Sequence, residues 1–332
     1  MTVHSVWGSI RRVPNLGSRL PVSITGRLRL PLIAAPMLRV SGPELVVAAC
    51  SAGVIGAFPT ANARTVEQLD SWLTEIGTAG AVAPHAANLI IRQPRLADDL
   101  ECLVRHRVEV VITSVGSPAA VVEPLHGVGA LVLADVATLH HARRAVEAGV
   151  DGLVLLTAGA GGQTGWMNPF AFVRAVREFF DGPVVLAGGI SDGHALRAAR
   201  VLGCDLAYMG TRFIATAESM AAPEYKQMLV ASSLDDIVLT RAFTGLPTSM
   251  LGPAIRAAGL DPDQLDEQVS PADATQMYGG GNAGIGPRRW TEVWSGGHSV
   301  SGVSDVSTVA ELVDTVAAEY GEPHAAPTQE TR

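Results

Sequence analysis

Residues 153–212 read LVLLTAGAGGQTGWMNPFAFVRAVREFFDGPVVLAGGISDGHALRAARVLGCDLAYMGTR. An apolar run is followed by a glycine-rich turn and an amphipathic segment. A second apolar run then ends in Gly188-Gly189, and a third, after another amphipathic segment, ends in Met209-Gly210-Thr211. Strand-like and helix-like segments alternating over short turns predict βαβ units and a parallel sheet. In such units the loops after the strands carry the chemistry. Here the loops after three successive strands are rich in glycine, which lets backbone N–H groups approach an anion closely.

Working outward, the same grammar predicts strands at 30–37, 53–58, 81–91, 108–114, 130–134, 152–156, 183–187 and 206–209. Helical patterns fall at 42–52, 65–76, 96–106, 118–125, 139–148 and 309–320. Thr65 with Glu67 reads as a helix start. Eight alternating units predict a closed (β/α)8 barrel, because an open doubly wound sheet usually stops at five or six strands. Residues 1–29 read as a loose lead-in and 30–216 as the barrel. Residues 217–287 show helical patches and no clear strand, and read as a small helical insertion after strand eight, a lid over the mouth. Residues 288–321 return to the barrel with a closing helix, and 322–332 read as a frayed tail. The run GGGNAGIG at 279–286 follows no strand, which argues against a dinucleotide fingerprint.

Composition narrows the function classes. Hydrophobic residues make up 48% of the 332 positions and charged ones 17%, so the core should be large. A net charge of −8 argues against a nucleic-acid surface, which needs clustered Lys and Arg. No apolar run reaches membrane-spanning length and no signal-peptide pattern opens the chain, so no membrane association is expected. Cys50, Cys102 and Cys204 are widely spaced and odd in number, which fits a reducing cytoplasm and not a disulfide framework or a metal site.

Gly188-Gly189 and Gly210-Thr211 follow strands seven and eight, the usual phosphate-binding corner of such barrels. Either pair alone would read as a tight turn; together they predict a phosphate site, for which a phosphorylated sugar or FMN would both fit.

Several segments together resemble the nitronate monooxygenase (2-nitropropane dioxygenase) family, which includes flavin-type enoyl-ACP reductases. They are APM at 35–37, AGAGG-x-x-G at 158–165, LAGGI at 186–190, YMGTRF at 208–213, RAFTGLP at 241–247 and WSGGHSVSGV at 294–303. The resemblance implies a TIM barrel that binds FMN non-covalently, with the phosphate on Gly188, Gly189, Gly210 and Thr211. It implies that Ala35, Met37 and Asn88 surround the flavin ring, with Asp135, Gly161 and Gly162 also on the cofactor side. The partners it implies are a small-molecule substrate and O2 or NAD(P)H, and it leaves room for a homodimer.

The departures bear on mechanism. Where the family places a catalytic histidine after its glycine pair, this chain has Gln163, which can hydrogen-bond but cannot carry a proton near pH 7. Gly159 stands where many members have Glu, and Asp135 where many have Lys. Late in the chain Gly296-Gly297-His298 replaces the usual AGQ, as if Gln and His had been exchanged between 163 and 298. His298 is therefore expected over the mouth near Gln163 as a second catalytic candidate, with His85 behind it. Trp166 and Met167 are expected in an apolar substrate pocket, and His140, His141 and His194 at the surface or capping helices. The best reading is oxidation of alkyl nitronates with O2. Reduction of enoyl-thioester or quinone-like acceptors by NAD(P)H is the alternative, and a phosphosugar barrel or a non-catalytic FMN-binding protein are further classes.

Overall fold

The computed structural model describes residues 18–279 and 286–321. The tail 322–332 and most of the GGGNAGIG run lie outside the described residues. The strands, in chain order, are β1 (Leu32–Ala34), β2 (Ile55–Pro59), β3 (His85–Ile90), β4 (Val110–Ser114), β5 (Leu131–Val136), β6 (Gly152–Leu156), β7 (Gly162–Gln163), β8 (Val184–Ala187), β9 (Leu206–Met209), β10 (Ile237–Thr240) and β11 (Thr248–Leu251). All but β7, β10 and β11 form a closed eight-stranded parallel barrel, sealed by Leu32, Ile33 and Ala34 of β1 pairing with Ala207, Tyr208 and Met209 of β9. Helices such as Pro43–Ser51, Val66–Thr78 and Gly193–Leu202 link the barrel strands on the outside. This is the (β/α)8 barrel that the alternation predicts.

Period-two alternation divides the strands between two cores. Ile33, Ile55, Ala57, Ala86, Val110, Ile112, Leu133, Val154 and Val185 fill the barrel interior. Their neighbours Leu32, Ala87, Val111, Val132, Leu153 and Val184 pack outward with helix residues such as Leu69, Leu103 and Phe172. Local signals set the helix ends: Thr65 Oγ1 accepts from Gln68 N at 3.2 Å and Asp192 Oδ1 accepts from Ala195 N at 2.7 Å.

Two sequence expectations need correction. The described part of the lead-in is ordered: the short helix Val22–Thr25 buries Ile24 against the barrel interior. Arg19 N donates to Asp205 just before β9, and Arg27 pairs with Glu109 just before β4. Both anchors lie at strand N-termini, so this segment closes the barrel floor. Second, the region after β9 contains strands. β10 and β11 form an antiparallel hairpin, and β11 pairs in turn with β7, Thr248 opposite Gln163. IVLT at 237–240 and TSML at 248–251 show no alternation of apolar and polar residues, and the further partner of β11 lies 85 positions upstream (248 − 163), so no local signal announces them.

Candidate active site

The loops at the C-terminal end of the barrel surround a cavity of about 940 Å³. Ligand pockets commonly fall in the range ~300–1,000 Å³. This one is at the large end, with room for a cofactor and a second molecule.

Its corner is built from glycine. Gly188, Gly189, Gly210 and Thr211 all line it. Gly189 has φ +70, and a Cβ placed there would meet nothing within 4 Å, so the space above it is open to a ligand. Gly188, at φ +129, is held differently: a Cβ there would lie 2.5 Å from Thr157 Oγ1. Thr211 lines the cavity while its hydroxyl accepts the Gly297 N–H at 3.0 Å, joining the β9 loop to the late loop. Arg212 steadies the corner from behind by donating to Ser191 O at 2.9 Å.

The floor is polar. Asn88, Asp135 and Tyr208 project inward from β3, β5 and β9 and line the cavity. The Asn88 amide donates to Ile112 O at 3.1 Å and to Ser114 Oγ at 3.2 Å, which fixes its orientation. Asp135 Oδ1 and Tyr208 Oη are buried without a hydrogen-bond partner among the described residues. Burial pushes the Asp135 carboxyl up to about 7. It also raises the Tyr208 hydroxyl well above the ordinary tyrosine value, with the Asp135 charge adding to the effect.

The walls come from distant segments. Ala35 and Met37 follow β1, and Gly161, Gly162, Gln163 and Trp166 follow β6; all line the cavity, Trp166 with 75% of its surface exposed. Opposite stand Arg241, Leu246 and Pro247 between β10 and β11, with Arg289, Trp290 and Trp294 beyond them. Trp294 stacks on Tyr225 at 5.0 Å and 10° between planes, and Tyr225 donates to Ser295 O at 2.6 Å. Arg289 is held by Phe243 O at 3.0 Å.

Three expected site residues are placed elsewhere. His298 does not line the cavity. Its backbone N–H donates to Gly159 O at 2.8 Å and its exposed ring lies against Gly159, where a Cβ would come within 2.7 Å of Nδ1. The late loop and the β6 loop are packed backbone to backbone, which turns the imidazole outward. A Cβ on Gly297 would sit 2.6 Å from both Gly159 O and Gly161 N. The ring also explains the glycine at 159, since any side chain there would meet it. His85 begins β3, at the opposite end of the barrel from the mouth, with Nε2 buried and without a hydrogen-bond partner among the described residues. Met167 packs on the layer between barrel and helices.

Other residues enter unannounced. His140 and His141, expected at the surface or capping a helix, are exposed at a helix start and also line the cavity, together with Arg144 on their helix and Arg92 after β3. Tyr208 was findable, because period two from Leu206 points it inward. Arg241 and Arg289 carried no such signal.

Comparisons with known proteins agree with this architecture. The nitronate monooxygenase family matches over residues 23–314. A nitronate monooxygenase of Paraburkholderia phytofirmans is 28% identical, over 73% of this chain and 78% of its own length. A hydroxy-methyl-oxo-octahydro-indene-carboxyl-CoA dehydrogenase of Rhodococcus jostii is also 28% identical, over 67% of this chain. The chain spans less than two thirds of that dehydrogenase, 62% of its length. The solved structure of FabK from Thermotoga maritima superposes with a TM-score of 0.78 at 26% identity, covering 92% of this chain and 96% of FabK. The chain belongs to the nitronate monooxygenase family, a family of flavoproteins.

Proposed function

We propose that the protein is an FMN-dependent oxidoreductase that oxidises alkyl nitronates with O2. The observation that carries this reading is one continuous cavity joining a glycine corner to a polar floor. Gly188, Gly189 and Gly210 lie at one side and Asn88, Asp135 and Tyr208 below. The open space over Gly189 suits a phosphate, and the two unpartnered polar atoms of the floor suit the edge of a heteroaromatic ring. Bound FMN would supply the electron transfer.

The chain's own residues would bind, orient and shield. Trp290 and Trp294 form an apolar wall, and Arg241 and Arg289 set positive charge on the same side, which favours an anionic substrate such as a nitronate. Gln163 presents an amide where a proton carrier would otherwise stand, which favours a substrate that arrives already deprotonated. Initial rates on a nitronate and on its neutral nitroalkane test this. A positioned base contributes ~10²–10⁴ in rate, and the nitronate should lead by a factor of that order. Equal rates would defeat the reading.

A second reading is NAD(P)H-dependent reduction of an enoyl thioester or quinone-like acceptor. It is favoured by the size of the cavity and by the four arginines on its walls, Arg92, Arg144, Arg241 and Arg289, which suit a long polyanionic acceptor. Anaerobic addition of NADH, NADPH or a nitronate to the flavin-loaded protein separates the two, according to which one bleaches the visible band. The three cysteines are buried and unbridged, which supports a reducing, cytoplasmic setting. Among the described residues no helix is long and apolar enough to cross a membrane.

A further inference from the structure

The floor of the cavity holds a carboxyl group with nothing to answer it. Asp135 follows Leu131 and Leu133 on the inward face of β5, and its Oδ1 is buried without a partner among the described residues. Tyr208 faces it from β9 with its own hydroxyl unpartnered. Asn88, from β3, directs its amide hydrogens to Ile112 and Ser114. The cationic and titratable groups elsewhere on the walls are Arg92 after β3, His140, His141 and Arg144 on the helix after β5, and Arg241 and Arg289 beyond β9. Among the described residues none of them makes an ion pair or hydrogen bond with Asp135. A buried polar group left open in this way is one that a ligand can satisfy.

We propose that Asp135 stands under a bound flavin as a neutral carboxylic acid that donates a hydrogen bond to it, so that FMN binds together with one proton. The proposal rests on the FMN reading of the cavity. Burial alone lifts this carboxyl to about 7, so near neutral pH the free protein holds a mixture of acid and carboxylate. The acid offers an O–H to the carbonyl oxygens and ring nitrogens of the flavin. The carboxylate sets a negative charge against the same acceptors in a site with no cation paired to it. Above the free protein's pKa, affinity should therefore fall about tenfold per pH unit, until the pKa of the bound state is reached. A lysine at this position would act as a donor at every accessible pH; an aspartic acid acts as one only while protonated.

The experiment is titration of flavin-stripped protein with FMN, followed by quenching of flavin fluorescence, at half-unit steps from pH 6.0 to 8.5. It is run on the wild type and on Asp135→Asn, whose amide donates without titrating. Ionisation of the FMN phosphate affects both proteins alike, so the ratio of their Kd values isolates Asp135. The expected ratio, wild type over variant, is flat below neutrality and rises about tenfold per unit above it. Calorimetry of the wild type at pH 8 in two buffers of different ionisation enthalpy should show uptake approaching one proton per FMN, and it needs no variant. A ratio flat throughout, or one falling with pH as for a carboxylate that accepts from a ring N–H, overturns the proposal. So does binding at pH 8 without proton uptake. Failure of both proteins to bind FMN at pH 6 overturns the FMN reading and this inference with it.

Discussion

Gly189 combines a left-handed backbone, φ +70, with open space where a side chain would begin. Gly189→Asp places a charge and a strained residue in that space. We expect FMN affinity to fall at least ~100-fold, a loss of about 2.7 kcal/mol, with the circular dichroism of the apoprotein little changed. Asp135 sets a pH dependence of its own. Its pKa is higher in the fold than in the unfolded chain, so folding binds a proton between about pH 4, the ordinary aspartate value, and about pH 7. Native stability therefore drops as pH rises through that window. Apo Asp135→Asn should melt at the wild-type temperature near pH 4 and several degrees above it at pH 8. A gap that is constant with pH would show that the carboxyl does not titrate there. At this scale the glycine corner was legible because its residues follow directly on strand ends, whereas Asn88 and Gln163 were reached through the resemblance to the family's motifs. The placing of His298 was not legible, because the direction of a loop side chain depends on which backbone packs against it, here that of Gly159.

Between elements, the buried pair Arg177 and Asp205 ties the helix Pro169–Arg177 to the start of β9 at 2.6 Å, with side-chain exposures of 6% and 1%. Arg177 also donates to Gly182 O at 2.6 Å and Gly203 O at 2.9 Å, while Asp205 accepts the Val184 N–H at 2.9 Å. Arg177→Met leaves that buried carboxylate with only the more distant Arg19 guanidinium, at 3.9 Å, as a cationic partner. Urea unfolding should show a loss of about 3–5 kcal/mol. His298→Ala, by contrast, removes an outward ring; turnover should change less than twofold, and a larger loss would place the imidazole in the reaction after all. The barrel strands were readable because each is an apolar run bounded by turn residues. β10 and β11 were not, since their stability comes from pairing with each other and with β7.

Over the whole molecule, counting βα units was enough for a closed barrel, because eight units leave no free edge. The cavity was only half visible in that count. Its floor and corner follow from strand ends, but its far wall is set by how residues 237–279 and 286–299 fold back, a long-range matter that periodicity does not report. Arg241, exposed on that wall, provides the test: Arg241→Ala should raise KM for a nitronate about three- to tenfold with kcat within twofold, and the difference should shrink at high salt.

The three-stranded sheet β10–β11–β7 has a consequence for recombination between relatives. Gln163 belongs to the barrel in sequence but is an edge residue of the sheet built by the region beyond β9. Gly297 threads between Gly159 and Gly161 with no room for a methyl group. A chimera that transplants residues 217–302 alone would bring a foreign hairpin against a native β6 loop and break both seams. The exchangeable structural unit is discontinuous, 159–165 together with 217–302, and grafts that respect it should keep their fold where swaps of 217–302 alone aggregate.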